Sequence, residues 1–96
     1  MMLVVSYDVC TTDTEGAKRL RKVAKVCEAY GIRVQNSVFE VCVDPAQRIT
    51  LLDRLNRVID PKRDSVRIYR LGSNWEGKIE SLGLPLRFEQ EGVLIL

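Results

Sequence analysis

Histidine is absent from this chain of 96 residues. Its absence excludes schemes in which histidine activates a serine or cysteine nucleophile, and it excludes any imidazole metal site. Cysteine is scarce, and Cys10, Cys27 and Cys42 form no C-x-x-C pair. A disulfide framework or zinc site is therefore disfavoured, and buried reduced thiols are expected. Any catalysis must use carboxylates, hydroxyls, lysine, tyrosine or a metal ion held by oxygen atoms.

Long apolar segments are also missing. The longest apolar run, Met1 to Val5, is far too short to cross a bilayer, and no basic start or cleavage site of a secretory signal accompanies it. We therefore expect a cytoplasmic protein that does not associate with membranes. A glycine-rich phosphate loop is absent too, which disfavours a regulatory module that binds a metabolite.

The net charge of +2 conceals an uneven distribution. Residues 1–74 carry 13 Lys and Arg against 9 Asp and Glu, whereas residues 75–96 carry 2 against 4. Five of the basic residues fall in one window of eight: Lys18, Arg19, Arg21, Lys22 and Lys25. Such a window is either a solvated helix face or a surface for a polyanion, and charge alone leaves both interpretations open.

The first half of the chain alternates between strand and helix patterns. Met2 to Val9 is a nearly continuous apolar run, which predicts a strand buried on both faces. Thr12 and Glu15 match a capping box and predict the start of the first helix, which ends near Gly31. Residues 32–43 predict two antiparallel strands about a tight turn at 35–37, with one bent strand as the alternative.

The second half repeats the alternation. Asp44 and Gln47 form another capping box around Pro45 and predict a second helix. Its expected buried stripe consists of Ile49, Leu52, Leu55 and Ile59. Residues 65–71 then predict the last strand of a βαββαβ order, which is the ferredoxin-like split βαβ arrangement. We predict an α+β fold with one domain over residues 1–96 and a core at about 2–71.

In this arrangement both helices cover the same face of the sheet, so the other face needs a cover. The apolar run Val93 to Leu96 predicts an additional C-terminal strand, and an unpaired edge strand of that composition would invite aggregation. We therefore predict a homodimer in which residues 72–96 complete the partner's sheet.

Asp8 is the acidic residue that ends the first apolar strand. An unpaired carboxylate there would be costly to desolvate, so Asp8 is either functional or a cap that accepts backbone N–H groups of the following loop. A single carboxylate is a poor metal site, because Mg²⁺ prefers octahedral oxygen coordination. A two-fold dimer would bring two copies of Asp8 towards one site.

Three segments together resemble a known family. They are V-V-S-Y-D-V at residues 4–9, G-I-R-V-Q-N-S-V-F-E at 31–40 and D-S-V-R-I-Y at 64–69. In order and separation they are similar to Cas2, the small adaptation protein of CRISPR systems, and the resemblance covers about residues 2–71. The middle segment is the most specific of the three.

The resemblance implies a ferredoxin-like homodimer with a metal-dependent phosphodiesterase centre at the subunit interface. Asp8 from both subunits would be the catalytic ligand of Mg²⁺ or Mn²⁺. The residues expected to contact nucleic acid are Arg19, Lys22, Arg33 and Phe39, although Phe39 has a role in the core as its alternative.

The resemblance also implies partners: duplex DNA and a larger CRISPR adaptation integrase. We therefore expect a metal-dependent endonuclease of spacer acquisition and antiviral defence, with duplex DNA favoured as the substrate and RNA possible. The competing hypothesis is a non-catalytic dimeric scaffold that holds duplex DNA for the integrase. A toxin-type ribonuclease with the same fold is a more distant alternative.

Overall fold

The computed structural model describes residues 1–84. It confirms the predicted α+β fold and the βαββαβ order. The elements are β1 (Met2–Asp8), α1 (Thr14–Glu28), β2 (Gly31–Gln35), β3 (Val38–Cys42), α2 (Pro45–Val58), β4 (Ser65–Gly72) and a 3₁₀ turn (Glu76–Lys78). The turn between β2 and β3 shows that residues 32–43 form two strands and not one bent strand. The additional strand predicted at Val93 to Leu96 lies outside the described residues.

The four strands form one antiparallel sheet in the order β2-β3-β1-β4. Its register places Val4 between Glu40 on β3 and Tyr69 on β4, and Asp8 opposite Ser65. Because directly opposed residues of neighbouring strands point to the same face, this register assigns each side chain to one of two faces.

We call these two faces the helix face, which α1 and α2 cover, and the open face. The largest fully buried side chains of the sheet belong to the helix face: Leu3, Val5, Phe39 and Val41. On the open face Val4 and Ser6 are half-buried and Asp8 is exposed. The helices thus cover only one face of the first strand, so the prediction that this strand is buried on both faces depends on the predicted dimer and stays a prediction.

Helix α1 begins one residue later than the capping box predicted. Its N-cap is Asp13, whose carboxylate accepts a hydrogen bond of 2.7 Å from the backbone N–H of Gly16. The hydroxyl of Thr12 instead lies 3.3 Å from the sulfur of Cys10. Gly16 is required at this position, because a Cβ there would collide with the carbonyl oxygen of Cys10.

Helix α2 begins as predicted, since both hydrogen bonds of the capping box between Asp44 and Gln47 are present. Its buried stripe is centred on Leu51 and Leu55. The prediction that Ile49 belongs to it is wrong, because 63% of that residue is exposed. At 3.6 residues per turn, a residue two positions before Leu51 points to the opposite side of the helix.

Candidate metal and nucleic-acid site

Asp8 occupies the last position of β1, on the open face, and its side chain is exposed. It forms no ion pair within residues 1–84. Two backbone N–H groups that follow β1 donate to other carboxylates: that of Cys10 in the loop to Asp64, and that of Gly16 in the first turn of α1 to Asp13. Asp64 and Asp13 thus perform the capping role that was the alternative for Asp8, whose carboxylate faces solvent.

An exposed carboxylate of this kind suits a hard divalent cation such as Mg²⁺, which is commonly bound through one or two carboxylates and retains several waters. Residues 1–84 contain no group of three or more His, Cys, Asp or Glu that could hold a metal ion. The donor chemistry of Asp8 fits Mg²⁺ or Mn²⁺, but residues 1–84 do not by themselves supply a full set of protein ligands at this position.

Next to the end of β1 lies a buried ion pair between Arg19 of α1 and Asp64, the residue before β4. The Nε atom of Arg19 is 2.8 Å from Oδ2 of Asp64, and the two side chains are 16% and 0% exposed. This hydrogen bond from Arg19 holds the pKa of Asp64 below its ordinary value although burial opposes it. The prediction that Arg19 contacts nucleic acid is untested, but its guanidinium is already engaged within the chain.

The remaining basic residues of α1 point to solvent. Lys22, which was predicted to contact nucleic acid, is exposed, as are Arg21 and Lys25. Arg21 and Lys25 line a groove of about 560 Å³ between α1 and the turn that joins β2 to β3, together with Arg33. Glu28 lines the same groove, so three cations face one carboxylate there, and the surplus of positive charge favours phosphate groups.

Arg33 and Phe39 lie side by side on the helix face. The guanidinium of Arg33 is 5.2 Å from the centre of the Phe39 ring, a cation–π contact, and lies 3.8 Å from Glu28. Phe39 is fully buried and stacks on Tyr7 with a distance of 6.2 Å between ring centres. Phe39 thus occupies the core, and only Arg33 of the two offers a surface to nucleic acid. Burial raises the pKa of Tyr7, and the charge of Arg33 partly opposes this effect.

The predicted site residues fall into three places within one chain. Asp8 is on the open face, Arg33 and Phe39 are on the helix face, and Arg19 and Lys22 are on α1. Sequence reasoning missed Asp64 as a partner of Arg19. The available signal was its position directly before an apolar strand, in a segment that carries part of the family resemblance.

Comparison with known proteins decides the family. The family model described as CRISPR associated protein Cas2 matches residues 1–79. The chain belongs to the Cas2 family. Among Cas2 relatives, a "CRISPR-associated endoribonuclease Cas2" of Chlorobaculum tepidum is 51% identical over 96 residues and covers 100% of both chains. A "CRISPR-associated endonuclease Cas2" of Halalkalibacterium halodurans is 50% identical over 95 residues, which are 99% of each chain.

Solved Cas2 structures share the architecture. The crystal structure of Streptococcus pyogenes Cas2 at pH 6.5 matches with a TM-score of 0.77 and 54% identity, over 86% of this chain and 100% of that chain. A hypothetical protein from Thermus thermophilus matches with a TM-score of 0.72 and 35% identity, over 88% of this chain and 94% of that chain. The Cas2 fold thus accounts for the βαββαβ arrangement described above.

Proposed function

We propose that this chain is a metal-dependent endonuclease that hydrolyses phosphodiester bonds in CRISPR spacer acquisition and antiviral defence. The observation that carries the proposal is the exposed carboxylate of Asp8, fixed at the end of a strand whose other face is buried. The printed names of relatives about half identical to this chain, endonuclease and endoribonuclease, support the same class of reaction.

Asp8 from each of two subunits would hold one Mg²⁺ or Mn²⁺ ion. When bound, such a cation supplies charge stabilisation to a phosphoryl oxygen and acidifies a bound water. Exposed basic residues of the chain would position the substrate by neutralising its phosphates: Arg21, Lys22, Lys25 and Arg33. Contacts with phosphate carry affinity but little sequence information, so we expect weak sequence preference.

The proposal includes a homodimer formed through the open face. Val4 and Tyr69 contribute apolar surface to that face, and the chain itself leaves them partly exposed. Face-to-face association would cover them and bring the two Asp8 residues towards one another. Among residues 1–84 no helix has the length and apolar character of a membrane span. We propose the cytoplasm as the location, with a larger CRISPR adaptation integrase as a further partner.

The decisive test compares wild type with Asp8→Asn on duplex DNA and single-stranded RNA, with Mg²⁺ or Mn²⁺. Asn keeps the size and hydrogen-bonding capacity of the side chain but removes the charge that would hold the cation. We expect cleavage to be abolished while the fold and nucleic-acid binding persist. Duplex DNA is the favoured substrate, and comparing its rate of cleavage with that of single-stranded RNA decides between the two substrates.

Asp53→Asn is the matched control, because Asp53 is an exposed carboxylate paired with Arg57 on α2, away from the open face. It should cleave like wild type. Cleavage that survives in Asp8→Asn would show that the site assignment is wrong.

The second candidate function is a dimeric scaffold that holds duplex DNA for the integrase without cleaving it. It is favoured by the absence, among residues 1–84, of any group of three or more side chains that could together hold a metal ion. Highly purified wild type that binds duplex DNA but cleaves neither substrate with either metal, from neutral to alkaline pH, would establish the scaffold.

A further inference from the structure

Asp64 is the only buried charged residue among residues 1–84. The proposed chemistry does not use it, and a buried ion pair by itself is weak evidence of stabilisation, because desolvating both charges offsets their attraction. A local role in holding nearby backbone is therefore a better explanation for the Arg19–Asp64 pair than a general gain in stability. Asp64 accepts one hydrogen bond from the backbone N–H of Asp60, at 2.8 Å, which holds the segment before β4. The other hydrogen bonds of the pair lead to the loop after β1.

The pair holds both backbone polar groups of Cys10. The N–H of Cys10 donates to Oδ1 of Asp64 at 3.1 Å, and Nη2 of Arg19 donates to the carbonyl oxygen of Cys10 at 3.4 Å. The same carbonyl presses so closely on α1 that only glycine fits at position 16. The loop after β1 is thus fixed at Cys10 from two sides.

This fixed point lies two residues after Asp8. Val9, between them, is buried in the core. Asp8, the last residue of β1, is therefore followed directly by a residue whose position is fixed by packing. On the neighbouring strand, Asp64 directly precedes Ser65, the residue opposite Asp8 in the register. The pair therefore restrains Asp8 through its own loop and through the strand beside it.

We propose that Arg19 and Asp64 are positioning residues that fix the direction of the Asp8 carboxylate. Arg19 then acts through Cys10 and does not bind a phosphate. Two of its guanidinium nitrogens already donate to Asp64 and Cys10, at 2.8 to 3.4 Å. The inference rests on the proposed function only in taking Asp8 as the metal ligand.

The test is Arg19→Lys. Lysine keeps the positive charge opposite Asp64, but its single ammonium group cannot reproduce the planar fork that reaches both Asp64 and Cys10. The matched control is Arg57→Lys, which makes the same change in an exposed ion pair with a similar length of 3.0 Å to Asp53. Asp64→Asn removes the charge of the other partner of the pair, whose carboxylate accepts the N–H of Cys10. If that variant fails to fold, the comparison of Arg19→Lys with Arg57→Lys decides the proposal.

Four quantities are measured on the full chain: kcat and KM for cleavage with Mn²⁺, Mn²⁺ affinity without substrate, the salt dependence of duplex DNA binding, and hydrogen exchange of the Cys10 amide. Residues that orient a metal ligand typically change affinity or activity about 10- to 100-fold when mutated. In Arg19→Lys we expect kcat and Mn²⁺ affinity to fall about tenfold, with KM within about twofold of wild type. Cys10 should exchange about tenfold faster, and the salt slope should not change.

Three results would overturn the proposal. One is an Arg19→Lys variant with the kcat of wild type and a raised KM, together with an Arg19→Gln variant whose duplex DNA binding has a salt slope smaller by about 0.9. That combination would identify Arg19 as a phosphate contact. Another is an equal loss of activity and of Mn²⁺ affinity in Arg57→Lys. The third is unchanged Cys10 exchange in Arg19→Lys.

If wild type neither cleaves nor binds Mn²⁺, the proposed function fails and Asp8 is not a metal ligand. The exchange data then still decide whether Arg19 and Asp64 restrain the loop beside Asp8. Faster exchange at Cys10 in Arg19→Lys but not in Arg57→Lys supports that restraint, and equal exchange in the two variants removes it.

Discussion

The helix face and the open face are built from alternate residues of the same strands, but among residues 1–84 helices cover only the first. On β1, Leu3, Val5 and Tyr7 point to the helix face and are buried, whereas Val4 and Ser6 point to the open face and are only half-buried. The helix face therefore specifies the fold of one subunit. The open face keeps Asp8 accessible, and its residual apolar surface is the part that a second copy can cover.

The largest effect should come from Phe39→Ala on the helix face. Removing a fully buried aromatic ring leaves a cavity and costs about 3–5 kcal/mol in the free energy of unfolding. The loss also deprives Arg33 of its cation–π partner. Urea denaturation measures the cost, and a loss below about 1 kcal/mol would contradict the placement of this ring in the core.

The next effect concerns Asp64, at the boundary of the two faces. Its pKa is lowered in the folded chain, so its contribution to stability is present above about pH 3.9, the value of a free aspartate. That contribution disappears as the pH falls below this value through the folded pKa. Asp64→Asn should destabilise the chain by about 2–3 kcal/mol at pH 7, since buried donors lose their acceptor.

The difference between wild type and Asp64→Asn should shrink steadily towards pH 2. Asp53→Asn, which alters an exposed pair, should change stability by less than about 1 kcal/mol at any pH. Denaturation curves collected from pH 2 to 7 measure both differences. A difference for Asp64→Asn that does not depend on pH would show that its charge is irrelevant.

A smaller effect is expected for Cys27, a buried residue of α1 at the side where this helix packs on the helix face of the sheet. Burial raises the pKa of this thiol to about 11, whereas a cysteine in an unfolded chain ionises near pH 8.5. The contribution of the thiol to stability is thus complete below about pH 8.5 and declines as the pH rises towards 11.

Cys27→Ala should reduce that alkaline decline at a cost of about 1 kcal/mol at neutral pH. Cys42→Ala, which removes an exposed thiol from the open face, should leave the decline in place. Thermal unfolding between pH 7 and 11 distinguishes the two variants, and identical profiles would contradict the burial of Cys27.

The smallest effect on the fold should come from Tyr69→Ala on the open face. Tyr69 is 45% exposed and lies beside Arg67, whose guanidinium is 5.4 Å from the ring centre. Losing that contact costs about 0.5–1 kcal/mol. Light scattering at micromolar concentration should show a wild-type homodimer and a weaker one for Tyr69→Ala. A stable wild-type monomer would contradict the role of the open face.

Local patterns in the sequence predicted most of the fold. The capping box at Asp44 and the turn between β2 and β3 are confirmed, because their hydrogen bonds join residues that are close in sequence. The error at Thr12 has a local cause: the next residue, Asp13, is an equally good cap, and its carboxylate accepts the N–H of Gly16. The apolar run of β1 predicted burial on both faces, but such a run does not show whether the second cover comes from its own chain or from another copy.

The candidate site was predictable only in part. Asp8 was located correctly at the end of the first strand, and the core role that was the alternative for Phe39 agrees with its full burial. The position of Asp64 directly before β4 marked that residue, but nothing nearby in the sequence indicated Arg19 as its partner, since 45 residues separate the two. A basic window in a sequence cannot show which of its members turns inward, and the structure makes that distinction between Arg19 and Lys22.

The hydrogen bond between Cys10 and Asp64 has a consequence for the order of folding. It closes a loop of 54 residues, and contacts of such long range form late, after the chain entropy of the intervening segment has been lost. Helix α1 and the β2–β3 hairpin can form earlier from nearby residues. During synthesis, the surroundings of Asp8 are therefore completed only after Asp64 has left the ribosome, and a shorter nascent chain carries an unfinished site.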